Sequence, residues 1–214
     1  IITMKKKFIL AAAITSVAFF ILAGCREDKI ELSKSELADK IKGGWAGQII
    51  GCTYGGPTEF KYRQKIIPDN VKINWDETRP IVENVFGGLY DDLYLDITFM
   101  DVFERCGLNA PRIEFQRAVG ESTYELWAAN RALRFAWLDS FQRGEPTSWK
   151  VNPAYNDIDF QIEADFAGLM SPAMPNAAVE FAETVGRSIN SNDGFYCGAY
   201  VAAMYSLAFV SDDM

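Results

Sequence analysis

The chain has 214 residues, a net charge of −8 and no histidine. Without histidine, Ser-His-Asp and Cys-His nucleophilic catalysis are excluded within these residues. An acidic balance of this size repels nucleic acid and anionic lipid surfaces, so neither is an expected partner.

Ile1 to Thr3 precede a methionine and read as translated upstream sequence, which makes Met4 the start. Lys5, Lys6 and Lys7 then form a basic n-region, and Phe8 to Ala23 is an apolar run interrupted only by Thr15 and Ser16. That run is short for a spanning helix, which needs roughly 20 apolar residues, and suits a signal h-region. It ends in Leu22-Ala23-Gly24-Cys25, which resembles the lipobox of a bacterial lipoprotein. The resemblance implies that Cys25 is lipidated and becomes the first mature residue. Glu27 and Asp28 in the following tether resemble the acids behind the lipidated cysteine of surface-exported lipoproteins. The expected domains are therefore a signal peptide (1–24), a tether (25–33) and one folded domain (34–214). The expected location is the cell envelope, with a lipid anchor as the sole link to the membrane, on the periplasmic face or the cell surface.

Loss of residues 1–24 leaves 18 basic against 29 acidic residues, −11 before the termini. Cys52, Cys106 and Cys197 remain after Cys25, an odd number with no C-x-x-C spacing. A disulfide framework or zinc site is not expected.

Ser33-x-x-Glu36 is a capping box. The helix it opens carries Leu37, Ile41, Trp45 and Ile49 on one stripe and Gly43, Gly47 and Gly51 on another. Glycine costs a helix about 1 kcal/mol relative to alanine, so three in register predict close approach by another backbone. Gly55-Gly56-Pro57-Thr58 then forms a loop that delivers Glu59. From Lys61 to Gly88 the pattern is broken by Pro68, Asn70, Pro80 and Gly87-Gly88, which predicts loops and at most short helices.

Tyr90 to Glu104 is the stretch on which the chain is organised. Eight of its residues are large and apolar, which predicts a helix buried on more than one side. It opens with Asp91 and Asp92 and carries Asp96 one turn above Asp92. Ionised carboxylates are rarely set against a core unless paired, hydrogen-bonded or bound to a cation. Two readings stay open here. The acids face the positive end of the helix dipole as capping residues, or they hold a hard cation such as Mg²⁺.

A short helix is predicted near Arg112–Val119, and Ser122-x-x-Glu125 predicts the cap of a longer one through Trp127, Asn130, Leu133, Trp137 and Phe141, ended by Gly144 and Pro146. Asp157 to Met170 has a single helical stripe of Ile158, Ile162, Phe166 and Leu169 and carries Asp157, Asp159, Glu163 and Asp165. Further helices run from Pro175 through Val185 and from Phe195 to Val210, joined by a turn at Asn190–Gly194. No alternating strand pattern occurs. The predicted architecture is all-α, a single orthogonal multi-helix bundle.

Three stretches together resemble the ADP-ribosylglycohydrolase family, which includes dinitrogenase-reductase-activating glycohydrolase. They are Gly43-Gly44-Trp45-Ala46-Gly47-Gln48-Ile49-Ile50-Gly51 with Pro57-Thr58-Glu59, then Asp91-Asp92 leading into an apolar helix, then Asp157 to Met170 through Ala202-Ala203-Met204. The last is similar to a branch of the family found in secreted bacterial proteins. The resemblance implies two Mg²⁺ ions at the centre of the bundle, with Asp91, Asp92 and Glu59 as metal-site residues. Glu59 and Asp92 would carry the catalysis, and water would attack an anomeric carbon. The chain departs from the family at three places. Tyr90 stands where Ser or Thr is usual, and Gln48 replaces an Asp. The second motif, Asp-x-Asp-Thr, is missing before Met214. The chain is therefore expected to be a C-terminally truncated piece that lacks half the metal site and need not be active by itself.

The expected activity of the intact protein is metal-dependent hydrolysis of an N- or O-glycosidic bond to a ribose-like sugar. The alternative is a non-catalytic lipoprotein that keeps the fold as a ligand- or partner-binding module. Asn156, Asp159 and Glu163 are expected to share one face as a polar substrate wall. No Lys or Arg lies between Val151 and Val185, so like charges would repel a pyrophosphate there. A neutral or cationic glycoside or nucleoside is the expected substrate, in preference to ADP-ribosyl groups.

Overall fold

The computed structural model describes residues 31–82, 88–139 and 150–211. The expected signal peptide, Cys25 and the expected helix residue Phe141 lie outside the described residues. Lys34 to Met214 group into one compact unit. Among the described residues all regular structure is helical, and no helix is long and apolar enough to cross a membrane. The helices are α1 (Lys34–Gly55), α2 (Arg79–Val82), α3 (Asp91–Cys106), α4 (Arg112–Gly120), α5 (Ala128–Leu138), α6 (Asp159–Ile162), α7 (Asp165–Leu169), α8 (Pro175–Gly186) and α9 (Asn192–Leu207). Short 3₁₀ turns at Gly56–Thr58 and Trp75–Thr78 join α1 to α2.

The core is built on α3. Leu95, Phe99, Val102 and Phe103 recur at helical spacing and are fully or almost fully buried. Phe99 meets Phe166 of α7 with ring centroids 5.4 Å apart, and Phe103 meets Phe115 of α4 at 4.9 Å and Phe181 of α8 at 5.1 Å. Rings at these separations and tilts add quadrupole attraction to the area they bury. The helix is buried on one broad face only: Ile97 is 59% exposed, so the expectation of burial on more than one side is corrected. An eight-residue apolar count overstates burial when one member points outward.

The second half packs tightly around α9, which runs against α6, α7 and α8. Gly168 of α7 permits one crossing. A Cβ there would lie 2.5 Å from the Ala202 carbonyl oxygen and 2.8 Å from the Ser206 nitrogen, and neither backbone atom can move aside.

Four further expectations are corrected. The stretch from Asp157 to Met170 is two short helices, broken at Glu163–Ala164. The helix of Trp127 begins at Ala128, and Ser122 does not cap it: its Oγ donates to the Val119 carbonyl and accepts from Arg134. The last helix begins at Asn192, inside the expected turn. Gly43, Gly47 and Gly51 face open space, with nothing within 4 Å of the point where a Cβ would stand. The close approach falls instead at Gly44, against the Leu169 side chain. Accordingly α1 is the least buried long helix: Thr53 is its one buried residue, and Ile49 and Ile50 are about half exposed.

Candidate functional site: an acidic centre between α1, α3 and the α6–α7 break

Tyr90 is the N-cap of α3 and makes no side-chain cap bond, so Asp91 and Asp92 are its first two residues. Both are half-buried, and each accepts from its own backbone N–H. Burial first, then the charge of Asp92, pushes the Asp91 carboxyl up to about 7. Asp92 is also raised by burial, offset by a 2.6 Å hydrogen bond from the Cys52 thiol to its Oδ2. The thiol is pushed far up by burial and by accompanying Asp92, so it stays protonated and donates. One residue on, the buried Thr53 hydroxyl donates to the Ile49 carbonyl and shares a 2.8 Å hydrogen bond with the Tyr90 hydroxyl. That contact ties the end of α1 to the start of α3.

Glu59 closes the Gly56–Thr58 turn as its C-cap and is exposed, as the Gly-Pro sequence implies. Partial burial and the negative charge of Asp92 raise its carboxyl. Glu59, Asp91 and Asp92 therefore lie within electrostatic reach of one another.

One turn deeper, Asp96 is fully buried. Gln48 of α1 reaches it, and the Gln48 amide donates to Asp96 Oδ2 at 2.9 Å and to Asp165 Oδ1 at 3.2 Å. Burial and a hydrogen bond with Asp165 hold Asp96 well above the carboxylate range. Gln48 thus places an amide that bridges two carboxyl groups. A third carboxylate at that point would only have added repulsion.

Asp159 and Glu163 turn inward from either end of α6. Asn130 of α5 holds both: its side-chain amide donates to Asp159 Oδ1 at 3.3 Å and to Glu163 Oε1 at 2.5 Å. Its backbone N–H adds a 3.1 Å bond to Asp159 Oδ1. Burial pushes Asp159 up to about 6, and burial with the charges of Asp159 and Asp91 holds Glu163 well above its usual range. Asn156 does not join this wall. It is exposed, and its Oδ1 accepts from the Gly194 N–H in the first turn of α9. The expected shared face of Asn156, Asp159 and Glu163 is therefore corrected: the α6 register begins after Asn156, so the three side chains cannot follow one helical face.

Of the residues read from the sequence, Glu59, Asp91, Asp92, Asp159 and Glu163 come together in one electrostatically coupled group. The sequence reading missed Cys52, Asn130 and the Asp96–Asp165–Gln48 bridge. Asn130 was visible only as a polar residue between Ala129 and Leu133 on a core-facing helix. Among the described residues no three Asp, Glu or Cys side chains converge so as to hold a metal ion. The donor set nonetheless fits Mg²⁺, which is held through one or two carboxylates and keeps several waters. Asp91 and Asp92 are half-buried hard-oxygen donors with no cationic side chain bonded to them among the described residues.

The family model described as ADP-ribosylglycohydrolase matches residues 33–214. Neither the curated proteins nor the solved structures yield a match.

Proposed function

The chain belongs to the ADP-ribosylglycohydrolase family, and from that premise we propose that it hydrolyses a glycosidic bond to a ribose-like sugar in a Mg²⁺-dependent manner. The observation that carries this reading is the charge coupling of Glu59, Asp91 and Asp92, since carboxylates with separated environments supply the acid and the base of glycoside hydrolysis. Asp92 is the proposed base. Its Oδ2 is engaged by the Cys52 thiol, which orients the carboxylate and leaves Oδ1 to take a proton from water attacking the anomeric carbon. Glu59, on a loop and with its carboxyl raised by partial burial and the charge of Asp92, is the proposed acid that protonates the leaving group. Asp91 and Asp92 would hold the cation, which would supply Lewis-acid polarisation of the substrate hydroxyls.

The acidic surroundings favour a neutral or cationic substrate. Asp159, Glu163 and Asp165 line the same centre, and no Lys or Arg lies between Val151 and Val185. A pyrophosphate would meet carboxylates rather than the guanidinium or backbone N–H groups that suit it. The lipid anchor at Cys25 and a place in the cell envelope complete the proposal. Hydrolysis of an uncharged N-riboside with Mg²⁺ should fall at least ~10²-fold in Asp92→Asn, the order expected for loss of a general base. A variant with wild-type turnover would remove Asp92 from the chemistry, and binding without any turnover by the wild type would favour a ligand-binding module.

A further inference from the structure

We propose that the loop from Phe60 to Lys72 docks on an anionic lipid surface. Phe60, Ile66 and Ile67 enter the headgroup layer, and Lys61, Arg63, Lys65 and Lys72 meet its phosphates. The loop runs between the two 3₁₀ turns that join α1 to α2, and it exposes side chains that a folded chain ordinarily hides. Ile66 is 93% exposed and Phe60 71%, and Ile67 is exposed beside Ile66. Phe60 also has a backbone φ of 59°, in the left-handed region where a bulky residue is an outlier. The Arg63 guanidinium lies over its ring, 4.9 Å from the centroid, so a cation and an apolar face are presented together.

The chain's net charge of −8 opposes an anionic surface only on average. From residue 61 to residue 72 four basic residues stand against Asp69 alone, a local balance of +3. Charges in water are screened over about 8 Å at physiological salt, so the local balance governs a contact that the loop itself makes. Lys61, Arg63, Lys65 and Lys72 are all exposed, and among the described residues none of them is in an ion pair. The loop has a fixed shape. Trp75 at its end packs on Tyr54 of α1 with ring centroids 5.3 Å apart. Backbone bonds from the Lys65 N–H to the Tyr62 carbonyl and from the Val71 N–H to the Pro68 carbonyl make two turns. Ile66 and Ile67 stand between those turns, with Lys65 directly before them.

This chemistry favours lipid over protein. Three of the four cations are lysines, and lysine is depleted in protein–protein interfaces. At a membrane its alkyl stem lies along hydrocarbon while the ammonium stays in water. Apolar side chains interleaved with Lys and Arg bind a membrane interface through buried apolar area and attraction to anionic headgroups together. The contact is separate from any lipid on Cys25, and it does not rest on the proposed hydrolysis.

The test is hydrogen exchange of the full chain, read on the peptide covering residues 60–72, so that attachment elsewhere does not enter the result. Vesicles of phosphatidylcholine mixed with phosphatidylglycerol should slow exchange there, and high salt should remove the effect. Vesicles of phosphatidylcholine alone should not slow it. Ile66→Ser/Ile67→Ser should weaken the lipid-dependent protection by about 10-fold or more, the order expected for losing two inserted side chains. Lys61→Gln/Arg63→Gln/Lys65→Gln should abolish the response to phosphatidylglycerol. All five positions are exposed, and an unchanged melting temperature without vesicles establishes that the variants are folded. Equal exchange with and without phosphatidylglycerol overturns the inference, as does protection that survives Ile66→Ser/Ile67→Ser. Protection by soluble polyglutamate equal to that by the vesicles would assign the loop to an acidic protein and overturn it as well.

Discussion

Asp159→Asn exchanges a buried carboxyl for an amide of the same shape. Asp159 Oδ1 accepts from the backbone and side-chain N–H groups of Asn130 at 3.1 and 3.3 Å, and an asparagine carbonyl can accept both. Oδ2 has no donor, so an NH₂ in its place displaces no hydrogen bond. In the native protein burial holds the Asp159 carboxyl at about 6 against an ordinary 3.8. The sign follows directly. A folded-state pKa above the unfolded one means that the unfolded chain loses its proton first as pH rises. The group's contribution to stability is whole below pH 4 and is lost progressively up to about pH 6. The displacement is near 2 pH units at 1.36 kcal/mol each, which gives about 3 kcal/mol as the upper figure. Metal-stripped Asp159→Asn should therefore be more stable than wild type by about 1–3 kcal/mol at pH 7 and nearly equal to it at pH 4. Urea denaturation in chelator at pH 4, 5, 6 and 7 measures this. A difference that is the same at every pH, or a variant less stable at pH 7, would refute the electrostatic account of this wall.

Gly168→Ala should cost about 1–3 kcal/mol, the usual range for overpacking, because the new methyl meets the α9 backbone at Ala202 and Ser206; an unchanged urea midpoint would mean that α7 and α9 do not cross there. Gly43→Ala, Gly47→Ala and Gly51→Ala should each stabilise α1 by up to about 1 kcal/mol, since nothing lies within 4 Å of those positions, and a drop in melting temperature would show that a partner occupies that face. Asp91→Asn/Asp92→Asn should lose the Mg²⁺-dependent rise in melting temperature, because a ligand stabilises only the state that binds it. An undiminished rise would return both acids to a capping role.

Much of the fold was legible because its signals are local. The apolar residues of α3 recur at helical spacing, Pro175 starts α8, and Gly-Pro after α1 places Glu59 on a loop. The break at Glu163 was not legible, since Ile158, Ile162, Phe166 and Leu169 keep a helical period straight across it. The glycines of α1 misled for a related reason: a glycine records what the backbone permits, and what lies opposite is written elsewhere in the chain. Asn130 was hidden because its partners are 29 and 33 residues away. Asp91 and Asp92 stood out as carboxylates opening an apolar helix, and resemblance to the family assigned them and Glu59 to a metal site. Composition alone left the two aspartates open to capping.

The central claim is that an acidic, cation-assisted centre cleaves glycosides lacking a pyrophosphate. It is tested most directly by presenting the protein, in Mg²⁺, with an equimolar mixture of ADP-ribosyl-arginine and an uncharged N-riboside, and following both by chromatography. The account predicts that the uncharged riboside is consumed first and that chelator stops its loss. Preferential cleavage of ADP-ribosyl-arginine, or riboside hydrolysis that persists in chelator, would contradict it.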